Sequence, residues 1–148
     1  MTAISDIGKS FEGEGLTIET YKQVEDSYIK AIQLVMDYLG VPYLLVNNVI
    51  RSFSYQKFLE NTKEFDELYP NDLMEVYTNT WDIEKIDKEK VVLFCRLLFR
   101  EDIGSDVYFP RKLKVFIGYD YLMGVHTSKS IDSIRPAIEQ LGLFVVEH

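Results

Sequence analysis

The residue types best suited to contacts between proteins are crowded into the middle of the chain. Residues 60–89 carry ten acidic and three basic side chains, so this segment holds nearly all of the net charge of −8. Tyr69, Tyr77 and Trp81 are interspersed among the acids. Carboxylates steer a cationic partner and aromatic side chains supply contact area, which is the combination needed for rapid docking onto a basic surface. The alternative is a solvated charged face with half-buried aromatic residues.

The docking interpretation selects side chains from this segment and one carboxylate farther along the chain. The predicted partner-binding residues are Glu64, Asp66, Glu67, Asp72, Glu75, Tyr77, Trp81, Asp82, Glu84 and Asp120. Asp120 stands between Tyr119 and Tyr121, so if both tyrosines point inward its carboxylate faces outward, toward a lysine or arginine of a partner. The alternative for Asp120 is a backbone-bonding role in a turn.

The residues that could perform catalysis lack the surroundings that catalysis needs. Asp120, His126 and Ser128 could form a nucleophilic triad, but no nucleophile elbow surrounds a serine. Cys95 lies in the apolar run VVLFCRLLF, where a buried, inert thiol is favoured over a nucleophile. Paired carboxylates such as Asp82 and Glu84 would need a cleft. The sequence therefore predicts a protein that is not an enzyme.

The sequence has no motif typical of a cofactor site, a metal site or a nucleic-acid-binding surface. His126 and His148 are far apart, so they do not form a zinc motif with the single cysteine. The Gly-Glu-Gly at residues 13–15 lacks the Lys-Ser/Thr of a phosphate loop. With a pI near 4.8 the surface repels polyanions, so neither nucleic acid nor an anionic membrane is an expected partner. We therefore expect no cofactor and no metal.

Length and hydropathy predict one folded domain over residues 1–148, with residues 1–16 as a loose lead-in. The lead-in would pack only at Ile4, Ile7, Phe11 or Leu16. The beginning of the sequence lacks the features of a secretory signal, and the longest apolar stretches are shorter than the roughly 20 residues that span a bilayer. A cytoplasmic location is expected.

Helical periodicity is strong in the first two thirds of the chain. Apolar residues recur at spacings of three and four from Thr17 or Thr20 to Leu39, where Gly40 and Pro42 end the helix. A second helix is predicted from Ser52 or Ser54 to Tyr69, and a third over residues 88–100 behind an Asp87 cap. Residues 43–50 (YLLVNNVI) fit a strand or a short buried helix, and we favour the helix. Residues 71–86 are predicted to form short or irregular helices.

The last third is predicted to build a sheet. Odd positions from Leu113 to Val125 are apolar or tyrosine, which predicts one long strand or a hairpin that turns near residues 118–120. A loop is predicted at residues 101–106, a helix at 130–141 that becomes regular just before Pro136, and a final strand at 143–147. The predicted fold is therefore α+β, with an N-terminal helical two thirds packed on a small C-terminal β-β-α-β sheet.

The run FIGYDYLMGV, followed by GLFVVE, resembles a strand pair of the small immunity proteins that accompany bacterial contact-dependent growth-inhibition and other polymorphic toxins. Leu122 and Gly124 stand where that pattern has aromatic residues. The matching residues are Phe116, Gly118, Tyr119, Asp120, Tyr121, Met123 and residues 142–147. The resemblance implies a protein without catalysis that binds and blocks a cognate toxin domain, often a nuclease with a basic groove. The alternative is a regulatory module that binds a small ligand or a basic peptide near Tyr119 and Tyr121.

Overall fold

The computed structural model describes residues 4–11, 14–118 and 122–147. The helices are α1 (Ile18–Leu39), α2 (Tyr55–Thr62), α3 (Asn71–Asn79), α4 (Lys88–Phe99) and α5 (Arg135–Glu139), with 3₁₀ segments at Ile4–Asp6 and Lys63–Leu68. The strands are β1 (Ser10–Phe11), β2 (Glu14–Gly15), β3 (Tyr43–Arg51), β4 (Glu84–Asp87), β5 (Ile103–Phe109), β6 (Leu113–Ile117) and β7 (Met123–Thr127).

Five antiparallel strands form the main sheet in the order β4-β3-β5-β6-β7, while β1 and β2 form a separate two-stranded hairpin. Alternate residues of the central strands, such as Leu44, Val46 and Val107, are completely buried on the face that packs against the helices. Helix α4 contacts β3 and β5, and α1 packs against α4. The residues between these buried positions in β3 and β5 point to the opposite face of the sheet, where Tyr43, Leu45 and Tyr108 are only half-buried.

The fold class α+β is correct, but the predicted arrangement of its parts is wrong. The sheet is not confined to the last third and does not have a β-β-α-β order, because two of its five strands, β3 and β4, come from residues 43–51 and 84–87. Residues 43–50, predicted as helix, lie in the strand that pairs with β4 on one side and β5 on the other. The predicted loop at residues 101–106 supplies most of β5, and residues 143–147 form no strand.

Several local predictions are confirmed. Helix α1 begins after Thr17, whose Oγ1 accepts a hydrogen bond from Thr20 N, and α4 begins after Asp87, whose Oδ1 accepts one from Lys90 N. Ser54 caps α2, which continues as a 3₁₀ segment to Leu68. The odd-numbered pattern at residues 113–125 is a hairpin, β6 and β7, whose connecting residues 119–121 lie outside the described part. The helix at 130–141 is regular only over Arg135–Glu139, with Pro136 in its first turn.

Gly40 ends α1 with a left-handed backbone, φ 67°. Its amide donates to Asp37 O, and the amide of Val41 donates to Met36 O at 2.9 Å. A Cβ at this position would meet nothing within 4 Å, so only the backbone conformation opposes a side chain.

Gly40→Ala should therefore lower the free energy of unfolding by about 1 kcal/mol, measured by urea denaturation. Gly104→Ala is the matched control. Gly104 also has open space around its Cβ position, but its φ is not positive. An equal loss in both variants would contradict the backbone explanation.

Candidate functional site

Large apolar side chains are exposed where β3 ends and α3 gives way to β4. Trp81 and Ile83 are 75% and 76% exposed. We use the term apolar patch for the exposed large apolar side chains between residues 50 and 83: Ile50, Phe53, Tyr55, Trp81 and Ile83. Exposed aromatic and aliphatic side chains are common at interaction surfaces, where tryptophan is a frequent anchor.

Polar contacts hold the segments of the apolar patch beside one another. The Arg51 guanidinium donates from Nε to Tyr77 O at 2.7 Å and from Nη2 to Thr80 O at 2.8 Å. The carboxylate of Asp82 accepts the amide of Val49 at 2.8 Å. The residues on either side of Ile50 therefore both contact the segment that carries Trp81.

Glu84, three residues after Trp81, also holds the loop that carries Trp81. Its Oε2 accepts the amide of Trp81 at 2.9 Å, while its Oε1 pairs with Lys90 Nζ at 2.6 Å. Both side chains of this ion pair are about three quarters buried. The backbone of the tryptophan is thus ordered before any partner arrives, which reduces the entropy lost on binding.

The carboxylates predicted for docking differ in whether they form an ion pair. Six are exposed and form no ion pair within the described residues: Glu64, Asp66, Glu67, Asp72, Asp82 and Glu75. Asp82 accepts the Val49 amide, as described above, and Glu84 is paired with Lys90. The basic residues of the last third, as far as the structure describes them, therefore form no ion pair with these six carboxylates.

Of the predicted docking residues, Tyr77 is buried, and Asp120 lies outside the described residues. Tyr77 is 2% exposed, its ring packs edge-on against Phe58, and its hydroxyl donates to Phe53 O at 2.8 Å. Tyr77 therefore supports the apolar patch from beneath. Asp120, with Tyr119 and Tyr121, lies outside the described residues.

A cavity of about 960 Å³ adjoins the apolar patch through Phe53. Its lining includes four acidic residues and one basic residue, Arg100, so we call it the acidic cleft. The acidic lining residues are Glu60, Glu64, Glu101 and Asp102. Glu64 is the one predicted docking residue that also lines the cleft. A cationic side chain is the chemistry that this lining would accept.

The floor of the acidic cleft contains a buried network that the sequence analysis above does not predict. Tyr69 donates its hydroxyl to Asp102 Oδ2 at 2.6 Å, and its ring lies 4.8 Å from the guanidinium carbon of Arg100. Arg100 donates from Nη1 to Leu68 O and binds Glu25 through Nε and Nη2 at 2.8 and 2.6 Å. This network links the cleft to α1 and α4.

Burial sets the protonation of the network. It raises the pKa of Asp102 to about 6, although the hydrogen bond from Tyr69 and the charge of Arg100 oppose the change. Burial also raises the pKa of the Tyr69 hydroxyl, and the charge of Asp102 adds to that effect. Burial disfavours the charged guanidinium of Arg100, but its hydrogen bonds to Glu25 outweigh that cost and its pKa is raised.

A signal for the network was present in the sequence. Glu25 falls in the helical series Tyr21, Glu25, Ile29, Ile32 and Met36, whose members are all buried. Arg96 lies within the apolar run of α4, and Arg100, four residues later, caps the end of that helix. Charged residues within apolar stripes of two helices indicate a buried ion pair.

The remaining chemistry-bearing residues are the single cysteine and the side chains that could ligate a metal ion. Cys95 is completely buried, as predicted, and burial raises the pKa of its thiol to about 12. Within residues 4–11, 14–118 and 122–147, no group of His, Cys, Asp or Glu side chains is arranged to hold a metal ion. None of the helices in those ranges has the length and apolar character of a membrane span.

Comparisons with protein-family models, with curated proteins and with solved structures find no match to this chain.

Proposed function

We propose that this chain is a non-catalytic immunity protein that binds and neutralises a cognate bacterial toxin domain, a basic protein such as a nuclease. The observation that carries the proposal is the exposed Trp81, whose backbone amide is held by Glu84, in a chain segment where six exposed carboxylates form no ion pair within the described residues. The resemblance at residues 116–123 supports the toxin as the partner.

The two parts of the surface have separate roles. The apolar patch would be buried against the toxin and limit the dissociation rate, because central aromatic anchors supply most of the affinity of an interface. Glu64, Asp66, Glu67 and Glu75 would raise the association rate, because exposed charge acts at a distance of about one Debye length, roughly 8 Å at physiological salt. The same charges would repel the nucleic-acid substrate of a nuclease.

Trp81→Ala should weaken binding to the toxin domain encoded beside this chain's gene about tenfold, mainly through faster dissociation. Surface plasmon resonance measures both rates. Phe144→Ala is the control, because Phe144 is 95% exposed and lies outside the apolar patch. Equal weakening by the two variants, or survival of toxin activity when both proteins are co-expressed, would contradict the proposal.

Neutralising Asp66 and Glu67 together, as Asp66→Asn with Glu67→Gln, should slow association several-fold at low salt and leave dissociation nearly unchanged. Asp132→Asn with Glu147→Gln is the matched control, since both residues are exposed and the change in net charge is the same. Stopped-flow kinetics at increasing salt provide the measurement. An association rate that does not depend on salt would remove the steering role of the acidic segment.

A second candidate function is a regulatory module that binds a basic peptide, and the acidic cleft is the observation that favours it. A lysine or arginine side chain could enter between Glu60, Glu64 and Glu101. Titration with an arginine-containing peptide distinguishes the two functions. Tight peptide binding that Glu64→Gln abolishes, with no binding of the toxin domain, would favour the module.

A further inference from the structure

A second cavity, of about 550 Å³, lies at the turn between β5 and β6 and has the opposite charge. Its basic lining residues are Arg111, Lys112, Lys114 and His126, and Asp106 is its only lining carboxylate among the described residues. We call it the basic cleft. A concentration of basic groups is unexpected on a chain whose net charge is −8.

Strand register brings these side chains together. Lys114 is paired with Tyr108 on β5 and with His126 on β7, so the three side chains project from one face of the sheet. Asn47 and Asp106, paired across β3 and β5, lie on the same face and line the same cavity. This face is opposite to the one that packs against the helices.

Arg111 has a backbone conformation that normally belongs to glycine. It follows Pro110 in a tight turn closed by the hydrogen bond from Lys112 N to Phe109 O at 3.1 Å, and its φ is 65°. A side chain in the left-handed region is strained, and Asn48 and Glu101 share a positive φ with Arg111 in the described chain. The turn places Arg111 among the residues that line the cleft.

The charges of the basic cleft are largely uncompensated. Neither Arg111 nor Lys114 lies within ion-pair distance of a carboxylate in the described residues. Asp106, the one carboxylate among the described lining residues, accepts a hydrogen bond from the side-chain amide (Nδ2) of Asn48 at 2.9 Å. The ammonium of Lys112 donates to Leu39 O at 3.5 Å, so the donors that the cleft offers to an anion are the guanidinium of Arg111 and the ammonium of Lys114.

We propose that the basic cleft binds the phosphate group of a small phosphorylated molecule. Phosphate carries several acceptor oxygens and up to two negative charges, which matches donors of the arginine and lysine type. A cavity of 550 Å³ is within the range of small-molecule sites, and Tyr108 provides an aromatic surface for the organic part of the ligand.

The size of the ligand follows from the range of the electrostatic forces. A small anion inside the cleft experiences the local cations, because charges beyond about 8 Å are screened at physiological salt. A nucleic-acid strand would extend beyond the cleft over a surface that is negative overall, and would be repelled. A compact phosphate ligand is therefore favoured over a polymer.

The test is a titration of the full chain with pyrophosphate, adenosine diphosphate, inorganic phosphate and a single-stranded oligonucleotide, followed by amide chemical shifts. Pyrophosphate should perturb residues 106–114 and 126–128, and tighter binding of the diphosphate nucleotide would identify an organic phosphate as the ligand. Binding of inorganic phosphate alone would assign the site to the free ion. No binding of any phosphate, or tighter binding of the oligonucleotide, would overturn the proposal.

Two variants make the test specific. Arg111→Gly should weaken pyrophosphate binding about tenfold and raise the urea midpoint of unfolding, because glycine relieves the positive φ. Lys114→Gln should weaken binding without raising the midpoint. Lys22→Gln, an exposed lysine on α1, is the control. Equal weakening by Lys22→Gln would show that only net charge is sensed and would overturn the site.

Discussion

Glu25→Gln should lower the free energy of unfolding by about 3–5 kcal/mol. The Glu25 carboxylate is 0% exposed and accepts hydrogen bonds from Arg100 and from Arg96 Nη1, the latter at 2.8 Å. Glutamine preserves the size of the side chain but removes its charge. The Arg100 side chain, 2% exposed, would then be a buried cation without its counter-ion. Urea denaturation at neutral pH measures the loss.

Asp37→Asn is a close control for this variant. Asp37 lies on the same helix as Glu25 and pairs at 2.8 Å with Lys88, the first residue of α4, whose C-terminal end Arg100 caps. Both side chains of this second pair are more than half exposed, so its loss should cost less than about 1 kcal/mol. Similar losses in the two variants would show that burial adds nothing to the energy of the Glu25 pair.

The helices could be predicted from the sequence because their determinants are local. The spacing of apolar residues, the Thr17 and Asp87 caps and the Gly40 stop all lie within or next to the helices they define. Each cap satisfies backbone groups that the helix itself leaves without partners. No distant residue is needed to specify where α1 or α4 begins.

Strands β3 and β5 could not be predicted with the same methods because their partners are distant in sequence. In YLLVNNVI, alternation is visible only after β4 and β5 are known to flank the strand, which buries Leu44 and Val46 on one face. Polar residues at 101–106 suggest a loop, yet their backbone groups pair with β3. Pairing across tens of residues decides these elements.

The candidate site was predictable in part for a similar reason. A count of charges identifies the acidic segment, and the structure leaves Glu64, Asp66 and Glu67 exposed there. The count of charges does not reveal that Tyr77 is buried, because its burial depends on packing against Phe58. The count of charges also does not locate the basic cleft, whose residues come from four strands and the turn between β5 and β6 and have no common motif.

Asp102→Asn should change how stability depends on pH. The pKa of Asp102 is about 6 in the folded chain, above its ordinary value of 3.8, so the folded state binds this proton more tightly than the unfolded state does. The contribution of the group to stability is therefore complete at low pH, falls as the pH rises from about 4 to about 6, and is constant above. Asparagine does not titrate, so it removes this dependence.

Between about pH 4 and pH 7 the parent chain should lose about 2 kcal/mol of unfolding free energy that the variant does not lose, so the variant becomes more stable relative to the parent as the pH rises. Urea denaturation across that range provides the measurement, with Asp132→Asn, an exposed carboxylate, as the control. A constant difference would mean that Asp102 titrates normally. Protonation of Asp102 also affects the acidic cleft, because the cleft loses the negative charge of this carboxylate as the pH falls below about 6. Over that pH range the binding of a cationic side chain in the cleft should weaken more in the parent chain than in Asp102→Asn.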